Sequence, residues 1–228
     1  MNYILQKIKE YDTIIIHRHT RPDGDCYGSQ IGLKAIINES FPSKEVYIVG
    51  EESLELSYLG KMDYINDELY QNALVFVLDV ANIERISDNR YKLGKELIKI
   101  DHHPLVNKFC DYEWIDTSYS SCCEMISTFY FENEDVLKLS DNGAKALLYG
   151  IVTDTNRFLN SNVNKRTFSL VNKLLEFNIN LNEIYSHIYA EDLNITRLRG
   201  YVLSNFIYTK NGLGYIKIDK KLCDKYLI

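Results

Sequence analysis

Proline and paired cysteines are both scarce in this sequence. Only 3 of the 228 residues are proline, so the chain has few obvious linkers, and it contains no internal repeat. The 5 cysteines are odd in number and none lies in a Cys-x-x-Cys pair, which favours a reducing compartment. No basic-then-apolar leader follows Met1. We therefore expect a cytoplasmic protein.

Long hydrophobic runs and an excess of positive charge are missing as well. The longest aliphatic and aromatic run is Ala73–Leu78, whereas a membrane span needs roughly 20 such residues, so we expect no membrane partner. With 26 Lys+Arg against 32 Asp+Glu the formal net charge is −6, which argues against a protein that binds nucleic acid through a basic surface. A content of 46% hydrophobic and 25% charged residues excludes disorder.

Strands alternate with helices along most of the chain. The β-branched run Thr13–Arg18 predicts a strand, and Ala73–Leu78 is apolar on both faces, as in a central strand of a covered parallel sheet. The alternation predicts the α/β class, with a mostly parallel sheet flanked by helices. Further strands are predicted at residues 45–49, 97–100 and, at the edge, 112–115, and helices at about residues 28–38, 121–131, 141–152 and 165–176.

The alternation of strands and helices ends at about residue 180. Residues 181–205 resemble a helical linker, and residues 206–218 predict a hairpin around Lys210-Asn211-Gly212. A hairpin of this size is not stable alone. We therefore expect a catalytic domain at residues 1–180, a linker at 181–205, and at 206–228 the incomplete start of a second domain inside which the chain stops.

Histidines and aspartates cluster where predicted strands end. In open α/β sheets, ligands bind outside the carboxyl ends of the strands, so these side chains should meet at one rim. The residues concerned are His19, Asp23 and Asp25 after the first strand, Asp79 after the third, Asp101, His102 and His103 after the fourth, and Asp154 at the end of a helix.

Such a set suits a pair of divalent cations. Carboxylates with a minority of imidazoles favour manganese, magnesium or iron over zinc. Two such ions about 3.5–4 Å apart can share a water and support displacement at phosphorus. Asp79, alone after the central strand, is placed to bridge them. Gly24 would let its loop fold tightly, so that Asp23 and Asp25 face different ions.

Four segments together resemble the motifs of the DHH phosphoesterases, in order and in spacing. They are His19-Thr-Arg-Pro-Asp-Gly-Asp-Cys-Tyr-Gly-Ser29, Asp79, Asp101-His-His103 and Gly150-Ile-Val-Thr-Asp-Thr155. The likeness is greatest to bacterial oligoribonucleases that also act as phosphoadenosine-phosphate phosphatases. It covers about residues 1–205, and the tail resembles the start of the family's second, DHH-associated domain.

The resemblance implies a role for each motif residue. One ion would be held by His19, Asp23 and Asp79, and the other by Asp25, Asp79, His102 and Asp154; the family most often uses manganese. His103 would contact the substrate phosphate as a donor or acid, and Asp101 would orient an imidazole. The expected catalytic residues are therefore Asp79, Asp101 and His103.

Further residues have both a functional and a structural interpretation. Ser29 and Ser121 each stand at a predicted helix start, where they could bind a substrate phosphate, although Ser121 with Glu124 also fits an ordinary capping box. Arg157 could bridge a phosphate or form an exposed ion pair. His17 is expected to be a buried supporting residue, and Cys26 a small packing residue.

The leading hypothesis is a metal-dependent phosphoesterase. It would hydrolyse short RNA or DNA oligonucleotides, 3′-phosphoadenosine 5′-phosphate or both, by a hydroxide shared between two cations, and it could form a homodimer. The alternative is a truncated, weakly active or silent module, because the glycine-rich, histidine-containing motif of the family's second domain is absent. The DHH core also serves pyrophosphatases and cyclic-dinucleotide phosphodiesterases, which stay open as further alternatives.

Overall fold

The computed structural model of the chain describes residues 2–227. It divides into two compact units, Met1–Asn180 and Leu181–Ile228. The assignment of residues 181–205 to a linker and of 206–228 to the start of a second domain stays a prediction. None of the helices within residues 2–227 has both the length and the apolar character that a membrane span requires.

A five-stranded parallel sheet forms the centre of the first unit. The strands lie in the order β2-β1-β3-β4-β5, and every neighbouring pair is parallel. Their order reverses between β1 and β3, and this switch point is where an open α/β sheet offers a crevice for ligands. The strands are β1 Thr13–His17, β2 Glu45–Ile48, β3 Leu74–Leu78, β4 Glu96–Asp101 and β5 Tyr112–Ile115.

Helices cover the sheet, so the predicted α/β class is confirmed. All five residues of β3 are buried, as expected of a central strand, whereas those of the edge strand β5 are only partly buried. Three short 3-10 segments, Asp67–Tyr70, Ile83–Arg85 and Asn89–Leu93, connect the strands. The helices of this unit are α1 Asn2–Glu10, α2 Gly24–Ser40, α3 Cys122–Phe131, α4 Asp141–Asp154 and α5 Lys165–Leu174.

Helix α2 begins four residues before the predicted position. Asp23 is its N-cap, and its Oδ1 accepts hydrogen bonds from the amides of Asp25 and Cys26 at 3.1 and 3.0 Å. An aspartate is among the best N-cap residues because it satisfies amides that the first turn leaves free. Asp25 therefore lies on the helix and not, as expected, in a loop.

Gly24 has a different role from the predicted one. It is the first residue of α2, and a Cβ there would lie 2.3 Å from Thr153 Oγ1 on α4. A Cβ at Gly28, one turn later, would lie 2.4 Å from the carbonyl oxygen of Ala146. These glycines allow α2 and α4 to approach closely. Tight loop folding was therefore the wrong reason for Gly24.

The second unit contains three helices and a short hairpin. Helices α6 Leu181–Tyr189 and α7 Leu193–Asn205 come first, and α8 Lys220–Tyr226 comes last. Between them the antiparallel strands β6 Ile207–Tyr208 and β7 Gly214–Tyr215 confirm the predicted hairpin. Gly212 has φ +81 in its turn, a conformation that glycine adopts without a steric cost.

Candidate metal centre

Two groups of side chains that carry metal-ligand atoms meet at the carboxyl end of the sheet. The first donor group consists of His19, Asp23, Cys26 and Asp79, whose ligand atoms all lie within 4.8 Å of one another. The second donor group lies around the His102 imidazole, whose Nε2 approaches carboxylate oxygens of Asp79, Asp154 and Asp25 at 3.4, 3.5 and 3.7 Å. Asp79 thus belongs to both groups.

His19 is oriented by the backbone beside it. Its Nδ1 lies 2.8 Å from the Thr20 carbonyl oxygen, to which it donates, so Nε2 faces the carboxylates. Nε2 lies 3.4 Å from Asp23 Oδ2 and 3.4 Å from Asp79 Oδ2. Burial alone would lower the pKa of His19, but these two carboxylates raise it well above its usual range. The site therefore attracts positive charge to this position.

In the second group, Asp25 is held by the N-terminus of helix α3. The Asp25 carboxylate accepts hydrogen bonds from the amides of Cys122 and Cys123, at the start of α3, at 2.6 and 2.8 Å. These contacts hold Asp25 with 1% of its surface exposed. Burial, together with the negative charges of Asp79 and Asp154, raises the pKa of Asp25. An anion in this position needs a cation nearby.

Asp79 lies between the two groups. Its Oδ2 faces His19 at 3.4 Å, and its Oδ1 faces His102, also at 3.4 Å. The residue adopts the left-handed conformation, with φ +58, which costs energy in a non-glycine residue and is common at functional sites. Burial alone would raise the pKa of Asp79, but its contacts with His102 and His19 lower it. One carboxylate is thus shared by the imidazoles of both donor groups, and its Oδ1 also lies 3.5 Å from His103 Nδ1.

The donor set fits divalent cations. Four carboxylates and two imidazoles lie close together, with His19, Asp25 and Asp79 buried, and Asp79 Oδ1 is a buried oxygen without a hydrogen-bond partner. Burial raises the pKa of Asp154 to about 6 even though His102 opposes the shift. Divalent cations would compensate this negative charge, and carboxylates with imidazoles are the donors that such ions accept.

His103 lies beside the donor groups and is held by Asp101. Its Nδ1 lies 2.8 Å from Asp101 Oδ1, and its side chain is 41% exposed. Asp101 itself is completely buried, with its Oδ2 3.1 Å from the ammonium of Lys99. The sequence predicts that Asp101 orients an imidazole, and the contact is with His103. Lys99 was not predicted, although a lysine two residues before Asp101 in an apolar strand shares its face.

Comparison with known proteins places these residues in a family. The model of the DHH family, N-terminal domain, matches residues 13–151. The chain belongs to the DHH family. It is 41% identical to the bifunctional oligoribonuclease and PAP phosphatase NrnA of Bacillus subtilis, over 98% of this chain and 72% of that protein. A probable NrnA of Streptococcus mutans is 43% identical, over 98% of this chain and 71% of that protein.

Solved structures share the fold. An exopolyphosphatase-related protein of Bacteroides fragilis matches with a TM-score of 0.86 and 25% identity, over 99% of this chain and 71% of that chain. A Methanococcus jannaschii putative family II inorganic pyrophosphatase has a TM-score of 0.55 at 18% identity, over 72% of this chain and 55% of that chain, and shows the fold alone. With its family assigned, the chain is a phosphoesterase, and the predicted resemblance is confirmed.

Ser29 and Ser121, the two predicted phosphate-binding residues at helix starts, form other contacts in this DHH protein. Ser29 is completely buried within α2 and donates to the Cys26 carbonyl oxygen at 3.1 Å, so it does not stand at a helix start. Ser121 is the N-cap of α3, as predicted, and its Oγ accepts from the Glu124 amide at 3.0 Å. The next amides, however, bind Asp25 rather than being free for phosphate. The helix start predicted at Ser29 is therefore wrong, and the binding of a substrate phosphate by Ser29 or Ser121 stays a prediction.

Only one of the two hydrogen bonds of the capping box predicted for α3 is present. The Glu124 carboxylate accepts from the amide and hydroxyl of Ser120, at 2.6 and 2.5 Å, instead of returning to Ser121. Arg166 donates to the other oxygen of Glu124 at 3.0 Å, which ties α5 to the start of α3. Glu124 is completely buried and therefore needs these partners.

Arg157 and His17 lie outside both donor groups. Arg157 is the middle residue of a left-handed turn, between Asn156 and Phe158, with φ values of +48, +61 and +68 along the three residues. Arg157 as a substrate ligand stays a prediction. His17 is completely buried, as predicted, with its Nε2 3.0 Å from the Tyr70 hydroxyl. Burial lowers the pKa of His17 to about 4.

Proposed function

We propose that this phosphoesterase hydrolyses short oligonucleotides and 3′-phosphoadenosine 5′-phosphate with the help of two divalent cations, manganese being the expected pair. The observation that carries the proposal is the position of Asp79, whose two oxygens face imidazoles of different donor groups at equal distances of 3.4 Å. The substrate class is supported by the printed names of the relatives at 41% and 43% identity.

Each donor group would hold one cation. His19, Asp23 and Asp79 would bind the first, and Asp25, Asp79, His102 and Asp154 the second. When bound, the two ions supply an activated water and neutralise charge on the phosphoryl group. They also explain how a protein with a net charge of −6 can accept an anionic substrate, since the positive field is local.

The chain's own contribution beyond the donors is the placement of His103. Because Nδ1 is engaged by Asp101, Nε2 is the ring nitrogen left for substrate. In this orientation a protonated imidazole can donate to a phosphoryl oxygen and stabilise the charge that develops there. We assign Asp101 the task of fixing the tautomer and direction of that ring. A cytoplasmic location and a homodimer complete the proposal.

A substrate panel tests this function. Purified protein would be incubated with a ribodinucleotide, a deoxyribodinucleotide, 3′-phosphoadenosine 5′-phosphate, pyrophosphate and a cyclic dinucleotide, each with manganese and with excess chelator. Asp79→Asn, prepared in parallel, controls for contaminating nucleases. We expect manganese-dependent release of mononucleotides or of inorganic phosphate from the first three substrates. Turnover that survives dialysis against chelator would overturn the two-cation proposal, and hydrolysis of pyrophosphate alone would overturn the substrate class.

A further inference from the structure

A thiol is the fourth member of the first donor group. Cys26 is completely buried one turn into α2, and its Sγ lies within 4.8 Å of the ligand atoms of His19, Asp23 and Asp79. Four ligands around one ion at bond lengths of about 2.0–2.3 Å must themselves lie a few ångström apart. The sulfur therefore has the spacing of a ligand. From the sequence alone, a packing role is expected for this cysteine.

The cap of helix α2 holds the sulfur in this position. The Asp23 amide donates to Cys26 Sγ at 3.3 Å, while Asp23 Oδ1 accepts from the Cys26 amide at 3.0 Å. This reciprocal pair uses one Asp23 oxygen for capping and leaves Oδ2 for the donor group. It also fixes the direction of the thiol. The first turn of α2 thus places one Asp23 oxygen and the Cys26 sulfur in the same donor group.

A second observation points to cations at this centre. The Asp79 side chain is 3% exposed, and its two oxygens face different donor groups. Oδ2 lies in the first group, 3.4 Å from His19 Nε2, while Oδ1 faces His102 in the second group and has no hydrogen-bond partner. A buried carboxylate oxygen without a partner is costly unless a cation or a donor satisfies it. The carboxylate that completes the first group is therefore only partly satisfied by hydrogen bonds.

All three buried thiols of the site donate to a backbone carbonyl oxygen. Cys26 Sγ donates to Asp23 at 3.5 Å, Cys122 Sγ to Ile100 at 3.4 Å and Cys123 Sγ to Asp25 at 3.3 Å. Within residues 2–227, however, neither Cys122 nor Cys123 belongs to a cluster of imidazole and carboxylate donors. The proximity of Cys26 to such donors is therefore specific to its position.

We propose that Cys26 is a thiolate ligand of the cation in the first donor group, which makes this half of the centre favour thiophilic ions such as zinc, cobalt or iron over magnesium. The inference rests on the proposed two-cation function and refines its metal preference. On binding, the S–H bond breaks, the proton passes to water, and a sulfur–metal bond forms, with no change of oxidation state. Soft thiolate donors select such ions, whereas carboxylates alone do not.

Cobalt and cadmium serve as spectroscopic probes of the sulfur. The apoprotein would be titrated with Co²⁺ and with Cd²⁺ under reducing conditions, and the near-ultraviolet thiolate-to-metal charge-transfer band recorded. The test variants are Cys26→Ala and Cys26→Ser, the second of which keeps an acceptor for the Asp23 amide and so protects the fold. Cys110→Ala, at a buried thiol of the hydrophobic cluster on Ile15 and Val75, is the matched control.

We expect the band in the wild type and in Cys110→Ala, and its loss in both Cys26 variants. The Cys26 variants should also lose Cd²⁺ affinity by at least about 10–100-fold while Mn²⁺ affinity falls less. A band that persists in Cys26→Ser, or its absence from a wild type that binds Co²⁺, would overturn the thiolate inference and leave the two-cation function intact. A wild type that binds none of these ions would overturn both.

Discussion

The two donor groups share Asp79 but are built in different ways. In the first, His19, Asp23 and Cys26 come from residues 19–26, and the cap of one helix arranges them. In the second, the ligands come from three separate parts of the chain, and Asp25 is fastened by amides of another helix. The Asp23 side chain is 58% exposed, whereas Asp25 is almost completely buried.

This difference separates local from global determinants of the site. The first group depends mainly on the backbone path between β1 and α2. The second depends on how closely α2, α3 and α4 pack, because Asp25 and Asp154 lie on two of these helices and the third supplies the amides. Disturbing the packing should therefore affect the second group first. Removing the shared residue should affect both.

The largest effect is expected from Asp79→Ala. The variant loses the one carboxylate that contacts both imidazoles, so both cations lose a ligand and the centre loses a negative charge. Calorimetric titration with Mn²⁺ should show at most one tight site, and hydrolysis should fall by more than that of any variant below. Two tight sites in this variant would contradict the assignment of Asp79 as the bridge.

His103→Ala should lower kcat by about 10²–10⁴-fold, as the loss of a general acid or charge-stabilising donor does. Since His103 is 41% exposed and engaged by Asp101, we expect both cations to bind nearly normally. The measurement pairs steady-state kinetics with metal titration on the same preparation. Loss of an ion would instead make His103 a ligand of one donor group.

Lys99→Met should have a smaller effect, about 10–100-fold on kcat, because it removes the buried partner of Asp101 and so loosens His103 indirectly. Lys99→Arg keeps the charge and should recover part of the loss. In a His103→Ala background the same substitution should cost little, since the residue through which it acts is gone. Full additivity of the two substitutions in kcat would show that Lys99 acts independently of His103 and would contradict this prediction.

Gly28→Ala should have the smallest effect on activity and a measurable one on stability. The new Cβ would lie 2.4 Å from the Ala146 carbonyl oxygen, so α2 and α4 must move apart. We expect this to lower the free energy of unfolding by about 1–3 kcal/mol. The second donor group should lose metal affinity before the first. Gly200→Ala in α7, where no atom lies within 4 Å, is the control and should be neutral or stabilise the chain by about 0.5–1 kcal/mol. Equal destabilisation by both would refute the packing argument.

Periodicity and motif spacing predicted most of the first unit correctly. The runs at Thr13–His17 and Leu74–Leu78 became strands because β-branched and aliphatic residues suit a sheet covered on both faces. The start of α2 was missed because Asp23 was interpreted only as a ligand, although a capping aspartate begins a helix. The occupation of the first α3 amides by Asp25 could not be predicted, because a sequence does not reveal which distant carboxylate reaches a helix start.

The sequence by itself determined the parallel sheet and the clustering of histidines and aspartates where its strands end, because these depend on residue type, alternation and short spacing. Only the tertiary structure decided that the α3 amides bind Asp25, that glycines on α2 face α4, and that Lys99 holds Asp101. Those contacts join residues far apart in the chain, and their energies depend on burial and close approach, which packing alone establishes.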